Sequence, residues 1–207
     1  EEALRVVLRA LFSSPEFLYH QAEPGPLDDY ALATRLSYFL WKSLPDDQLF
    51  LLASEGALSD PAVLASEVDR LLDDEKSLRF VEDFLDQWLE LEDIDATTPD
   101  ERLYPEYDDL LRQAMLEETR RFFAELIWDD RGVRELIDSD FTFLNRRLAE
   151  HYDIPGIDGL EYQKVALPEG SPRGGLLAQA SLLKITANGT NTSPVPRGSF
   201  ILSQLLG

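Results

Sequence analysis

Apolar residues recur at three- and four-residue spacing along most of this 207-residue chain, and that helical period restricts its fold more than any other feature. Leu4, Val7, Leu8 and Leu11 share one face of a first helix over 3–12. Leu78, Val81, Leu85, Trp88 and Leu89 do the same over 76–91, and Leu110, Leu111, Ala114, Met115, Phe122, Leu126 and Ile127 line the longest helix, over 106–128. The punctuation agrees with the period. Ser14-Pro15, Asp28 or Asp29, Pro45-Asp46-Asp47 and Ser59-Asp60-Pro61 mark helix starts. At such sites a side-chain oxygen can accept from an unpaired backbone N–H, and a proline has no N–H to leave unpaired. The segment "YALATRLSYFLWKS" is apolar nearly all round and is expected to be central. "GVRELI" and "FTFLNRRLAEHY" read as two further short helices.

The texture changes between Asp153 and Pro172, where Pro and Gly flank one alternating run over 162–167 that suits a lone strand. Helix, polar loop and helix then follow as "RGGLLAQASLLKI", "TANGTNTSPVPRG" and "SFILSQLLG". The expected fold is all-α: an irregular multi-helix bundle with one polar loop segment and at most a short strand pair. Residues 1–26 read as the end of a preceding helical segment, 27–155 as the main helical domain, and 156–207 as a polar loop with C-terminal helices packed on it. The polar stretch "EDIDATTPDERLYP" is the best internal hinge. The chain opens directly on an amphipathic helix and stops on Gly207, as a cut from a longer protein would.

Charge narrows the partners. Nineteen basic residues face forty acidic ones, a formal net of −21, a field that repels nucleic-acid backbones and anionic lipid surfaces. Nucleic acid is therefore not an expected partner, and no apolar run is long enough for direct membrane insertion. There is no cysteine, so disulfides, thiolate nucleophiles and covalent haem attachment are excluded within this segment.

Several motifs in order, "LATRLSYFLWKSLPDDQL", "DFLDQWLEL", "DFTFLNRRLAEHYDIPG", Arg173-Gly174-Gly175-Leu176-Leu177, and Thr192-Ser193-Pro194 with Arg197-Gly198, carry a resemblance across nearly the whole chain. They resemble a planctomycete-type family of domains of unknown function found in bacterial proteins that also carry cytochrome-c-like domains. The resemblance implies an extracytoplasmic setting, periplasmic or at the cell surface. It also implies other domains of the same protein as partners, and haem, where present, in a separate domain rather than in this segment. It brings no assigned catalytic residue.

The residues themselves offer one concentrated patch of non-acidic polar chemistry. Arg173, Gly174, Asn188, Thr190, Ser193 and Arg197 could join two Arg-Gly helix starts and a Thr/Asn/Ser-rich loop into one pocket. There, free N–H groups and guanidinium groups would hold a carboxylate, a sulfate or a sugar. The structural reading of the same residues is close helix approach, caps and local ion pairs. His20 and His151 are weak candidates for a metal or non-covalent haem, with Met115 as a remote axial ligand, if the fold brings them together. Adjacent carboxylates are too frequent in so acidic a chain to mark a site. The function expected first is a helical scaffold or interaction module of a larger extracytoplasmic, cytochrome-associated protein. A deep cleft lined by converging polar groups would count against it. The alternative is a ligand-binding or enzymatic domain acting on a carbohydrate or other polymer through the C-terminal Arg-Gly/Thr-Ser-Pro segment.

Overall fold

A computed structural model of the chain describes residues 2–19 and 25–207. They form mainly helices with a single two-stranded sheet, in two compact units, Glu1–Ser77 and Leu78–Gly207.

In the first unit the expected caps are in place. Ser14 Oγ accepts from the Phe17 amide at 3.3 Å, starting helix α2 (Pro15–Leu18) after α1 (Glu2–Phe12). Asp28, Asp46 and Asp60 cap α3 (Asp29–Trp41), α4 (Asp47–Ser54) and α5 (Pro61–Leu72) in the same way. Each such cap contributes on the order of 1 kcal/mol. Asp29 accepts instead from the Leu58 and Ser59 amides and so ties the start of α3 to the turn before α5. α3 is less central than its composition suggests. Ala33, Ser37, Leu40 and Trp41 are buried, but Tyr30 and Phe39 remain mostly exposed. Trp41 anchors this unit: its indole N–H donates to the Leu71 carbonyl at 2.8 Å, and the Lys76 ammonium lies 4.1 Å from its ring centre.

In the second unit, helix α7 (Asp109–Trp128) is the axis. One side packs through Phe122 and Leu126 against Val81 and Leu85 of α6 (Leu78–Trp88). The other packs through Leu111, Ala114 and Met115 against Leu148 and Ala149 of α8 (Arg146–His151) and Ala180 of α9 (Ala180–Ile185). The expected helix over "FTFLNRRLAEHY" begins later than its periodicity suggests. Phe141–Leu144 is strand β1, antiparallel to β2 (Gln163–Ala166), with Phe141 opposite Ala166. Asn145 decides the boundary: it is extended (φ −104°, ψ 175°), and its side chain caps the Leu148 amide at 3.0 Å, so the helix can only start after it. The aromatic, β-branched Phe-Thr-Phe run before it suits a half-buried strand, and the run expected as a lone strand thereby gains its partner. "GVRELI" forms only a 3₁₀ turn, Val133–Leu136.

The stretch expected as a hinge, 92–105, is tied by hydrogen bonds to α9 and the C-terminal loop. The Asp100 amide donates to Gly189 O at 2.9 Å, and the Lys184 ammonium donates to the carbonyls of Ile94 and Thr97 at 2.6 Å each. The C-terminal segment closes with α10 (Pro194–Phe200) and a short π turn, Ile201–Leu205, where the Trp88 indole donates to Gln204 O.

Gly175 has φ +78°, and a Cβ there would lie 2.3 Å from Ile137 O. Gly175→Ala should therefore lower stability by about 2–4 kcal/mol, since both strain and overlap act on backbone. Gly198→Ala, in open space and without a positive φ, should be neutral or slightly stabilising. Thermal melts of the two variants beside the parent check both.

Candidate functional site

Where the second half of α7 meets α8 and α9, the buried stripe of α7 carries a carboxylate. Glu118 is 1% exposed, accepts from the Thr142 hydroxyl at 2.6 Å and accepts a short bond from the Tyr152 hydroxyl. The Tyr152 oxygen accepts in turn from the Ala180 amide at 2.7 Å. Burial raises the Glu118 carboxyl to about 7, against the lowering effect of its hydrogen bonds and of the Arg173 charge. Burial beside that carboxylate also holds the Tyr152 phenol well above its ordinary value. The Arg173 guanidinium lies 4.0 Å from the centre of the Tyr152 ring. A second polar cluster adjoins: the buried Thr119 hydroxyl donates to Gln179 Oε1 at 2.7 Å and shares a 2.6 Å bond with Ser181.

Arg173 also lines a cleft of about 280 Å³. Leu111 and Met115 of α7, with Ala180, Leu183 and Lys184 of α9, form part of its wall. The turn before α7 adds Tyr104, Glu106 and Tyr107, the end of α8 adds His151, and the C-terminal loop adds Gly189, Asn191, Thr192 and Arg197. That loop is locked. Asn188 Oδ1 accepts from the Thr190 amide, the Asn191 amide and the Thr190 hydroxyl, and the Tyr104 hydroxyl donates to Thr190 O. Gly189 (φ +85°) approaches Thr98 so closely that a Cβ would sit 2.5 Å from its carbonyl oxygen. The loop thus holds Thr192 beside Arg197, whose Nη2 donates to the Thr192 hydroxyl at 2.6 Å and whose Nε donates to the Thr186 hydroxyl at 3.3 Å.

The charges in this cleft differ from the chain's average. Arg173 and Arg197 have no carboxylate within ion-pair distance among the described residues. Lys184 is spent on carbonyls, and burial lowers its affinity for a proton. His151 Nδ1 stands 4.0 Å from Glu106 Oε1, the lining carboxylate. Burial and the neighbouring Arg173 and Arg147 charges lower the His151 imidazole below its ordinary value, against the opposing pull of Glu106. The Tyr107 hydroxyl is buried without a hydrogen-bond partner. The arrangement can offer two uncommitted guanidinium groups to an anion above an apolar wall.

Of the residues singled out from sequence, Arg173, Arg197, His151 and Met115 meet at this cleft. Gly174 does not line it; a Cβ on Gly174 would lie 2.6 Å from Ser139 O, so it serves the close packing of the chain there. Asn188 and Thr190 shape the loop by bonding to each other, and Ser193 precedes α10 without a side-chain cap bond. Arg197-Gly198 lies within α10 rather than at its start, because Pro194-Val195-Pro196 occupies the first turn. The arginine side chains, and not helix-start amides, therefore present the donors. His20 lies outside the described residues, and among those described no group of three or more His, Cys, Asp or Glu side chains is placed to hold a metal ion. Sequence reasoning missed Glu118, Tyr152, Tyr107 and Lys184. Glu118 carried a signal: it falls on the apolar stripe Leu111, Met115, Phe122 at helical spacing.

Glu118 keeps its proton to about pH 7 in the folded chain, whereas a free glutamate loses it near 4.5. Between those values the unfolded chain binds fewer protons than the folded one. The stability at stake is complete below about pH 4.5 and is lost as pH rises to about 7. The loss should be on the order of 3 kcal/mol. Urea unfolding at about pH 5 and about pH 8 measures it, and Glu118→Gln should show a much smaller difference between the two.

Comparison with known families places the chain. The model of PSD4, a protein of unknown function (DUF1592), matches residues 27–154, and that of PSCyt3, a protein of unknown function (DUF1588), matches residues 173–207. No curated protein and no solved structure matches. Arg173 and Arg197 both fall within the second match, and the first spans more than half of the chain. The chain belongs to the PSD4 family of proteins of unknown function.

Proposed function

We propose that this segment is a ligand-binding domain that takes a carboxylate or similar anion in the cleft between Arg173 and Arg197. One observation carries the reading. Two guanidinium groups, 24 residues apart in sequence, line one cleft with no carboxylate paired to either among the described residues, in a chain of net charge −21. In so acidic a protein a surface arginine readily finds a carboxylate, and most others here do, such as Arg70 with Asp46 and Arg120 with Asp86. Leaving two unpaired beside apolar walls suits an anion supplied from outside. The presence of this cleft favours binding over a purely structural scaffold.

The setting we propose is periplasmic or at the cell surface, in a protein that also carries a cytochrome-type domain. Its support is the resemblance to extracytoplasmic, cytochrome-bearing proteins and the family label PSCyt3. No helix among the described residues is long and apolar enough to cross a membrane. Contact with other domains of the same protein is a companion reading, favoured by α1, which buries none of its residues and exposes Leu4, Val7 and Leu11.

Thermal shift and calorimetry with acetate, sulfate, glucuronate and benzoate test the binding reading, because a ligand of the native state raises its stability. At least one anion should raise the melting temperature of the parent. Arg173→Gln and Arg197→Gln should each weaken its binding by roughly tenfold or more, the loss of one charge-assisted hydrogen bond. Arg→Lys at either site should fall between, keeping the charge and losing the planar fork. Absence of binding by all four anions at about 100 Kd of a weak millimolar site overturns the reading.

A further inference from the structure

The size and walls of the cleft say more about its occupant than the arginines do. A volume of about 280 Å³ lies at the small end of the range for ligand clefts. That suits a small body of one ring better than an oligosaccharide. Leu111, Met115, Ala180 and Leu183 supply aliphatic wall, Pro99 and Tyr104 add flat faces, and the cations stand near the loop. A sugar ring needs hydrogen-bond partners around its whole edge. Much of this wall offers carbon, and Lys184 has already committed its donors to Ile94 and Thr97.

From these features we infer that the ligand is a monocyclic carboxylate with an apolar ring, aromatic or alicyclic. Its carboxylate lies between Arg173 and Arg197 and its ring against Leu183 and Met115. The inference rests on the anion-binding reading above and narrows the candidate anions to one chemical class. Leu183 is the residue that separates the two claims. It is only partly buried, so a polar substitution there changes the cleft wall at small cost to the core, and it carries no charge with which to hold an anion.

The test is a calorimetric panel on the whole chain: benzoate and cyclohexanecarboxylate as ring acids, glucuronate as a polar ring acid, hexanoate as a chain acid, and acetate and sulfate as bare anions. The two apolar ring acids should bind at least tenfold more tightly than acetate. Leu183→Ser should weaken them roughly fivefold or more and leave acetate and sulfate unchanged, while Arg197→Gln weakens every ligand. Circular dichroism and the melting temperature of each variant confirm that the fold is kept. If acetate or sulfate binds as tightly as benzoate, or if Leu183→Ser leaves the ring acids unaffected, the ring inference falls and the anion site stands. If glucuronate or hexanoate binds most tightly, the ligand class is wrong and the anion site again stands. If no member of the panel binds, both fall together.

Discussion

The second unit is organised around a carboxyl group placed where hydrocarbon would be expected. Glu118 sits on the buried stripe of α7, and its two oxygens are met by the hydroxyls of Thr142 on β1 and Tyr152 just after α8. Tyr152 passes the connection on to the first amide of α9. Four segments thus converge on one side chain. A buried polar group left unmatched costs about 1–3 kcal/mol, so any packing of β1, α8 and α9 that failed to supply these partners would be disfavoured. Hydrophobic burial compacts this unit, whereas the Glu118 network specifies which arrangement of its elements is reached.

The same network supports the cleft. Arg173 lies over the Tyr152 ring, lowers the cost of charge on Glu118 and also lines the cleft. Arg197 is fixed differently, by two threonine hydroxyls that accept two of its five N–H donors without neutralising its charge. Neutral partners orient a cation and leave its field available. This is what distinguishes Arg197 from Arg70, whose field is met by Asp46 and Glu67.

Much of the fold was legible in the chain because local rules governed it. Asp28, Asp46, Asp60 and Ser14 cap where capping chemistry puts them, and α6 and α7 follow their apolar stripes. The strand β1 was not legible, because Phe141, Leu144 and Leu148 stand at helical spacing, and only Asn145 marks where the helix must begin. Of the cleft, the two arginines could be picked out because they stand in a non-acidic stretch. Their company could not. Tyr104 and Tyr107 reach the site from more than 60 residues before Arg173, and Lys184 reads as a helix-end cation rather than as a clasp on Ile94 and Thr97. Such pairings depend on chain crossings that carry no sequence signature. The glycines show the same limit: Gly174 was expected in an anion pocket, whereas Gly174, Gly175 and Gly189 each admit a neighbouring carbonyl.

The contrast between the cleft and the rest of the chain shapes how a ligand would arrive. A net charge of −21 surrounds the molecule with a field that slows every approaching anion, and over a screening length of ~8 Å in physiological salt that field gives way to the guanidinium groups. Entry is then an uphill climb followed by a short fall. Added salt flattens the climb and so speeds capture, while the fall, governed by contacts within the cleft, changes less. On the proposed reading, such a cleft would hold few anions in passing and would select those whose apolar body is retained after the charge has been met.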